Sequence, residues 1–178
     1  PWVFLILVPA ATMGLWAEER RAGTIELLLT FPVTLLETIL AKFLAGWVFI
    51  TLGIILTFPV VITVDYLGNP DMGVILAGYV GSIAMSAACV SIGMFTSSLT
   101  RSQVISFVLS LVFCFVLLLA GWPPVTNFFV QWAPTALVDT IAAVSILTHY
   151  ESIQRGVLDA KDIVYFLGVA LCMIAATH

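Results

Sequence analysis

Apolar residues run along this chain in long unbroken blocks, separated by short clusters of charge, proline and glycine. Residues 39–62, 74–98 and 104–122 are each close to or beyond the roughly 20 residues needed to cross a bilayer as a helix, and they are almost free of charge. Residues 1–16 read as the end of a further span and residues 163–178 as the start of a last one. Five spans are thus visible. The period-2 alternation of a membrane β-barrel is missing, and backbone groups in lipid must bond within their own segment, so the spans are expected to be α-helical. The expected fold class is all-α, a polytopic transmembrane helix bundle forming one domain. Both ends fall inside apolar blocks, so the chain is expected to be a fragment.

Charges collect in four connecting stretches, 17–38, 63–73, 99–103 and 123–162. Alternation of the spans puts 17–38 and 99–103 on one side. With Lys42 at the membrane edge, that side carries Arg20, Arg21, Lys42 and Arg101, against Arg155 and Lys161 on the other, which assigns it to the cytoplasm. Local chemistry agrees with the boundaries. Thr34 stands three residues before Glu37, the spacing of a helix-opening capping box. The run Tyr66-Leu67-Gly68-Asn69-Pro70 is a turn cluster, and Trp16 and Trp122 fall at expected membrane edges.

Composition sharpens what is excluded. Of 178 residues 62% are apolar and 9% charged, too few polar groups to cover a water-soluble globule. The net charge of −4 and the lack of a basic run argue against a nucleic-acid partner. Cys89, Cys114 and Cys172 sit singly in apolar stretches and read as small hydrophobes. Apart from Lys42 at an edge, residues 1–16, 39–62, 74–98, 104–122 and 163–176 hold no acid, base or histidine, which disfavours an ion-coupled carrier. No hydrolase constellation and no phosphate-cradling GxxxxGK[ST] loop occurs, so no residue is assigned a catalytic role and ATP, if used, must be bound by another chain.

The segment after the first span carries the most specific pattern: Glu18-Glu19-Arg20-Arg21-Ala22-Gly23-Thr24-Ile25-Glu26-Leu27-Leu28-Leu29-Thr30-Phe31-Pro32-Val33. Gly23 is placed to end the arriving helix, Thr24 to cap a new one, and Glu26 to complement its dipole. About two turns follow before Pro32. Ile25, Leu28 and Leu29 share one face, an apolar knob within a charged rim. Such a knob either lies in the lipid interface or docks a cytosolic partner.

This run resembles the signature between the second and third spans of ABC type 2 transporter permeases. Within that family the chain is most similar to gliding-motility-associated permeases, on Gly121-Trp122-Pro123-Pro124 and on Thr148-His149-Tyr150-Glu151-Ser152-Ile153-Gln154-Arg155-Gly156-Val157-Leu158-Asp159 as well. The resemblance implies a six-span permease of the bacterial inner membrane, with the five visible spans being the second to sixth. It implies a second permease subunit, identical or different, and two cytosolic ATPase subunits that hold ATP and magnesium; this chain carries no cofactor. Glu18, Glu19, Arg20, Arg21 and Glu26 would be rim contacts, Gly23 and Thr24 would shape the coupling helix, and Ile25, Leu28 and Leu29 would be anchors. A non-transporting membrane scaffold for a motility or envelope assembly is the alternative reading.

Two features remain. Residues 123–162 are too long for a simple turn; Ile146, Ile153 and Val157 share one face and Pro134 and Gly156 break the stretch, so amphipathic pieces are expected there, re-entrant by the family resemblance. His149 has no second metal ligand at suitable spacing and reads as a hydrogen-bonded residue. Small residues recur at Gly78, Ser82 and Ser86, at Ser102, Ser106 and Ser110, and at Gly46 and Gly53, spacings that let helices approach in lipid. Their hydroxyls are expected to bond back to the preceding turn.

Overall fold

The computed structural model describes residues 1–30, 33–68, 70–130, 140–156 and 159–177, together with the side chains of those residues except 27–29 and 128–130. Among them all regular structure is helical. The helices are α1 (Trp2–Thr12), α2 (Gly14–Ala22), α3 (Ile25–Thr30), α4 (Leu35–Ile55), α5 (Phe58–Leu67), α6 (Met72–Leu99), α7 (Gln103–Leu119), α8 (Pro123–Val130), α9 (Ile146–Gln154) and α10 (Ala160–Thr177).

Helix α6 is the axis of the bundle and packs against α1, α2, α4, α7, α9 and α10. Over residues 85–94 every side chain is buried, so this stretch has no outward face. Such a position demands small residues, because neighbouring backbones in lipid gain their stability from close van der Waals contact. Residues 85–94 supply two alanines, two serines, one cysteine and one glycine. A β-carbon on Gly93 would come within 2.8 Å of the Thr12 Cβ of α1, and one on Gly81 within 2.5 Å of the Ile153 Cγ2 of α9. On the α4 side the Trp47 Nε1–H donates to the Ile83 carbonyl at 3.1 Å.

The small-residue stripes contribute unevenly. A β-carbon on Gly46 would meet Val90 of α6 at 3.3 Å, whereas Gly53 and Gly78 have open space. Ser86 bonds back to the Ile83 carbonyl at 2.7 Å, but Ser82 faces the Tyr150 hydroxyl at 3.0 Å instead. Ser106 and Ser110 also depart from expectation, being buried hydroxyls without a hydrogen-bond partner.

Two spans are broken where the sequence reads continuous. Helix α1 gives way to α2 at Met13. Helix α4 gives way to α5 at Leu56 and Thr57, just ahead of Pro59, which has no N–H to give a helix and sits at its second position. At the start of α4 the Thr34 hydroxyl accepts from the Glu37 N–H and the Glu37 carboxylate accepts from the Thr34 N–H, the expected capping box. Four helical stretches are long and apolar enough to cross a membrane: Trp2–Ala22, Leu35–Leu67, Met72–Leu99 and Ala160–Thr177. The segment read as span 104–122 is shorter, the apolar helix Gln103–Leu119 of 17 residues. Helix α5 has no buried residue and presents Val60, Ile62, Val64 and Leu67 outward.

Close approach at Gly93 can be checked directly. Gly93→Val forces α1 away from α6, and overpacking of this kind costs about 1–3 kcal/mol. Gly53→Ala meets nothing and should hold or slightly raise stability. Thermal unfolding of the detergent-solubilised protein should therefore show a lowered midpoint for Gly93→Val alone.

Candidate functional site

The charged segment after α1 is held by two polar attachments, each arising from a local need of the chain. The break at Met13 frees backbone groups that a continuous helix would pair. Ser97, near the end of α6, takes them up: its hydroxyl accepts from the N–H groups of Trp16 and Ala17, both at 3.0 Å, and donates to the Met13 carbonyl at 2.9 Å. One donor and two acceptor sites are all a serine hydroxyl has. Ser97 is fully buried, so these bonds form where water cannot compete. In lipid-embedded proteins a helix break survives only if a neighbour satisfies the freed groups in this way.

Lys42, two turns into α4, makes the second attachment. Its Nζ lies 2.5 Å from Glu19 Oε1, donates to the Leu15 carbonyl at 2.5 Å, and sits 4.4 Å above the Trp16 ring. Trp16 is accordingly buried beneath the lysine rather than spread at a membrane edge. The ammonium has three donors and finds a carboxylate, a carbonyl and a π face. Helix α2 is thereby fixed to α6 on one side and α4 on the other.

Beyond these attachments the chain turns outward. Gly23 has φ +72°, the left-handed conformation that suits glycine at a helix end, and the N–H groups of Gly23 and Thr24 both close on the Glu19 carbonyl. The Thr24 hydroxyl lies 3.5 Å from that same carbonyl, on the helix behind it. Glu18, Arg20, Arg21, Gly23, Thr24 and Glu26 are exposed. Two of the expected contact residues differ. Glu19 is engaged with Lys42, and Ile25 is half-buried and packs toward the core cluster that contains Trp16 and Phe43. The side chains of Leu28 and Leu29, and Phe31 and Pro32 entirely, lie outside the described residues.

Sequence reading located this segment but missed Ser97. The only signal was a polar run, Thr96-Ser97-Ser98, at the end of an apolar span, and nothing in it distinguishes the hydroxyl that reaches across from those of Thr96 and Ser98, which bond back to Gly93 and Phe95.

At the other end of the bundle, α9 lies against α6, α7 and α10, with Ile146 and Ile153 buried and Gln154 and Arg155 exposed. Val157 and Pro134 of the expected amphipathic pieces fall outside the described residues. His149 is hydrogen-bonded, to Asp162 and to the Ala143 carbonyl. Between α1, α4 and the first residues beyond α4 lies an apolar cavity of about 730 Å³, adjoined by one of about 460 Å³ that reaches Tyr79, Ser82, Tyr150 and Gln154. Neither is lined by a charged side chain. Among the described residues no group of three or more potential metal ligands occurs.

Comparison with known proteins places this architecture. Residues 2–177 match the family model described as ABC-2 family transporter protein. No curated protein and no solved structure is detectably similar to the chain. With nearly its whole length matched, the chain belongs to the ABC-2 transporter family, as a multi-pass membrane component of a kind that lacks an ATPase domain and works with ATPase subunits.

Proposed function

We propose that this chain is the permease subunit of an ATP-driven exporter in the bacterial inner membrane, and that residues 18–32 are where cytosolic ATPase subunits take hold. The observation that carries this reading is the double attachment of α2. An exposed charged segment whose root is bonded to Ser97 of α6 and to Lys42 of α4 cannot move without moving both helices. Glu18, Arg20, Arg21 and Glu26 form the rim of the contact, and Leu28 and Leu29 its apolar anchors. Glu19 and Ile25 act from behind, joining the segment to the bundle. On this reading residues 17–38 and 99–103 face the cytoplasm, as their arginines and Lys42 suggest.

The remainder of the mechanism is movement rather than chemistry. Two ATPase subunits close on ATP and magnesium, the segment shifts, and a path beside a second permease subunit changes its exposure from one side of the membrane to the other. The uncharged cavities suit a substrate with substantial apolar surface better than a bare ion, since an ion in lipid-depth surroundings needs a counter-charge. Likeness to gliding-motility-associated permeases, carried by residues 121–124 and 148–159, makes the cell envelope the natural setting.

Docking and transmission separate experimentally. Leu28→Asp should abolish both the copurifying ATPase and its activity when the intact protein is affinity-purified; an unchanged complex would overturn the docking assignment. Ser97→Ala leaves buried N–H groups of α2 unpartnered, at about 1–3 kcal/mol, yet leaves the exposed segment intact. The ATPase should still copurify with Ser97→Ala, while a fluorophore at Arg101→Cys, beside the end of α6, should lose most of its response to ATP.

A further inference from the structure

A wide apolar space lies where α1 and α4 stand apart. The two helices touch at few points and are joined mainly through α6, and between them runs the cavity of about 730 Å³. Its width comes from small residues on both walls, Gly53 of α4 and Ala10 and Ala11 of α1. A β-carbon on Gly53 would meet nothing within 4 Å. Val3, Leu7, Phe49 and Leu56 along the rim are exposed, so the space opens sideways to the medium around the bundle, which for membrane spans is hydrocarbon.

Position along the helices fixes its depth. Glu37 closes the capping box where α4 begins, and Thr57 comes 20 positions later, about 30 Å of helix and the thickness of the hydrocarbon core. Thr57 therefore stands at the level of the far interface. From there the cavity descends past Val3 to Ala11 of α1, about 12 Å at the helical rise. That is close to the hydrocarbon depth of one leaflet, about 15 Å.

At the end nearest Thr57 the lining changes character. The adjoining cavity of about 460 Å³ brings together Thr57, Tyr79, Ser82, Tyr150 and Gln154. Thr57 donates to the Ile54 carbonyl at 2.6 Å and so accepts from the Tyr79 hydroxyl at 2.8 Å. The Ser82 and Tyr150 hydroxyls lie 3.0 Å apart and carry two hydrogens, of which their contact uses one. The other has no acceptor among the described residues, although Tyr150 is only 7% exposed. The Gln154 amide likewise has no partner among the described residues. An unmet donor in a shielded place is costly, and an acceptor brought by a ligand removes that cost.

We propose that the space between α1 and α4 seats one acyl chain of a phospholipid from the leaflet away from residues 17–38, with an ester carbonyl of that lipid accepting from the Ser82–Tyr150 pair and from Gln154. Three features select this occupant. The seat opens to hydrocarbon, so an acyl chain enters it without leaving its own solvent. The donors stand at the boundary between hydrocarbon and headgroups, where the glycerol esters of a phospholipid lie. Among the described residues no charged side chain lines either cavity, which suits an ester and leaves the phosphate in the headgroup layer. A transmembrane helix laid in the same space has its carbonyls already paired and leaves the hydroxyl hydrogen unmet. The seated chain fills the gap between α1 and α4 and ties them together where they make little direct contact. This site stands whether or not the chain docks an ATPase.

The test uses the intact protein. Native mass spectrometry after exchange into lipid-free detergent should show one phospholipid retained per chain. Gly53→Phe fills the seat without meeting protein and should abolish retention. Ser82→Ala with Tyr150→Phe removes both partners of one hydrogen bond, leaves neither unmatched, and should weaken retention about fivefold. In nanodiscs of phosphatidylcholine bearing a diazirine midway along one acyl chain, photo-adducts should favour residues 3–11 and 49–56 several-fold over Val112 and Val116, which are outward positions on α7. No retained phospholipid on the otherwise unaltered protein overturns the proposal and requires no variant to fold. So does a retained free fatty acid in its place, undiminished retention by Gly53→Phe or by the paired variant, or adducts as heavy on Val112 and Val116 as on the seat. Loss of a second protein chain from Gly53→Phe, with its lipid unchanged, assigns the space to a subunit contact and overturns it as well. None of these outcomes bears on ATPase docking.

Discussion

The bundle depends on one helix having no outside. Over residues 85–94 α6 is buried all round, and in a lipid solvent this is achieved not by hydrophobic driving force but by how closely neighbours can approach. Gly81 and Gly93 mark the two places where the approach is tightest, toward α9 and α1. Small side chains elsewhere in the stretch set the distances to α4, α7 and α10. Helices with larger residues could each find lipid; α6 cannot exchange its protein neighbours for lipid without leaving the fold.

Because α6 packs against six other helices, its attachments acquire weight beyond their individual energies. Near one end Ser97 completes the broken backbone of α1 and α2. Toward the other, Ser82 meets Tyr150 of α9. Each hydrogen bond contributes about 1 kcal/mol net, but leaving its buried partner unsatisfied costs about 1–3, so both are better kept in motion than broken. The contrast is α5, which has no buried residue and whose junction with α4 is a turn at Leu56 and Thr57. It can follow its surroundings without consequence for the core.

What the amino-acid pattern discloses, and what it withholds, follows the range of the forces involved. The helical class, the Thr34–Glu37 capping box and the Gly23 helix end were legible because each is decided within a few residues, whereas the breaks at Met13 and at Leu56–Thr57 were not, and four stretches rather than five are long enough to cross. Long-range pairing was not. Ser97 bonds to residues 80 and more positions away, and Lys42 and Glu19 read as separate surface charges until the fold brings them together. Trp16 had the composition of an interfacial aromatic and instead lies under Lys42. The small-residue stripes misled for a related reason: spacing tells which residues share a face, and not whether that face meets a helix or lipid, so Gly46 is close-packed while Gly53 and Gly78 are open. Histidine 149 was expected to be hydrogen-bonded, but its partner Asp162 lies on another helix.

A membrane component whose spans are almost uncharged has few ways to do work. Helices α6 and α7 carry no charged side chain, whereas an ion-binding site at membrane depth needs one. On the proposed reading force is applied from outside, and it enters where polar contacts make the chain stiff. The segment rooted at Ser97 and Lys42 is such a place: it is joined to α6 by bonds that saturate a buried hydroxyl and to α4 by a lysine with three separate partners. Displacing it shifts α6, and a shift of α6 is felt by every helix packed around it. On that reading the lack of charge in α6 and α7 and the concentration of polar contacts at one root of the bundle serve one purpose, in which energy is spent elsewhere and arrives as motion.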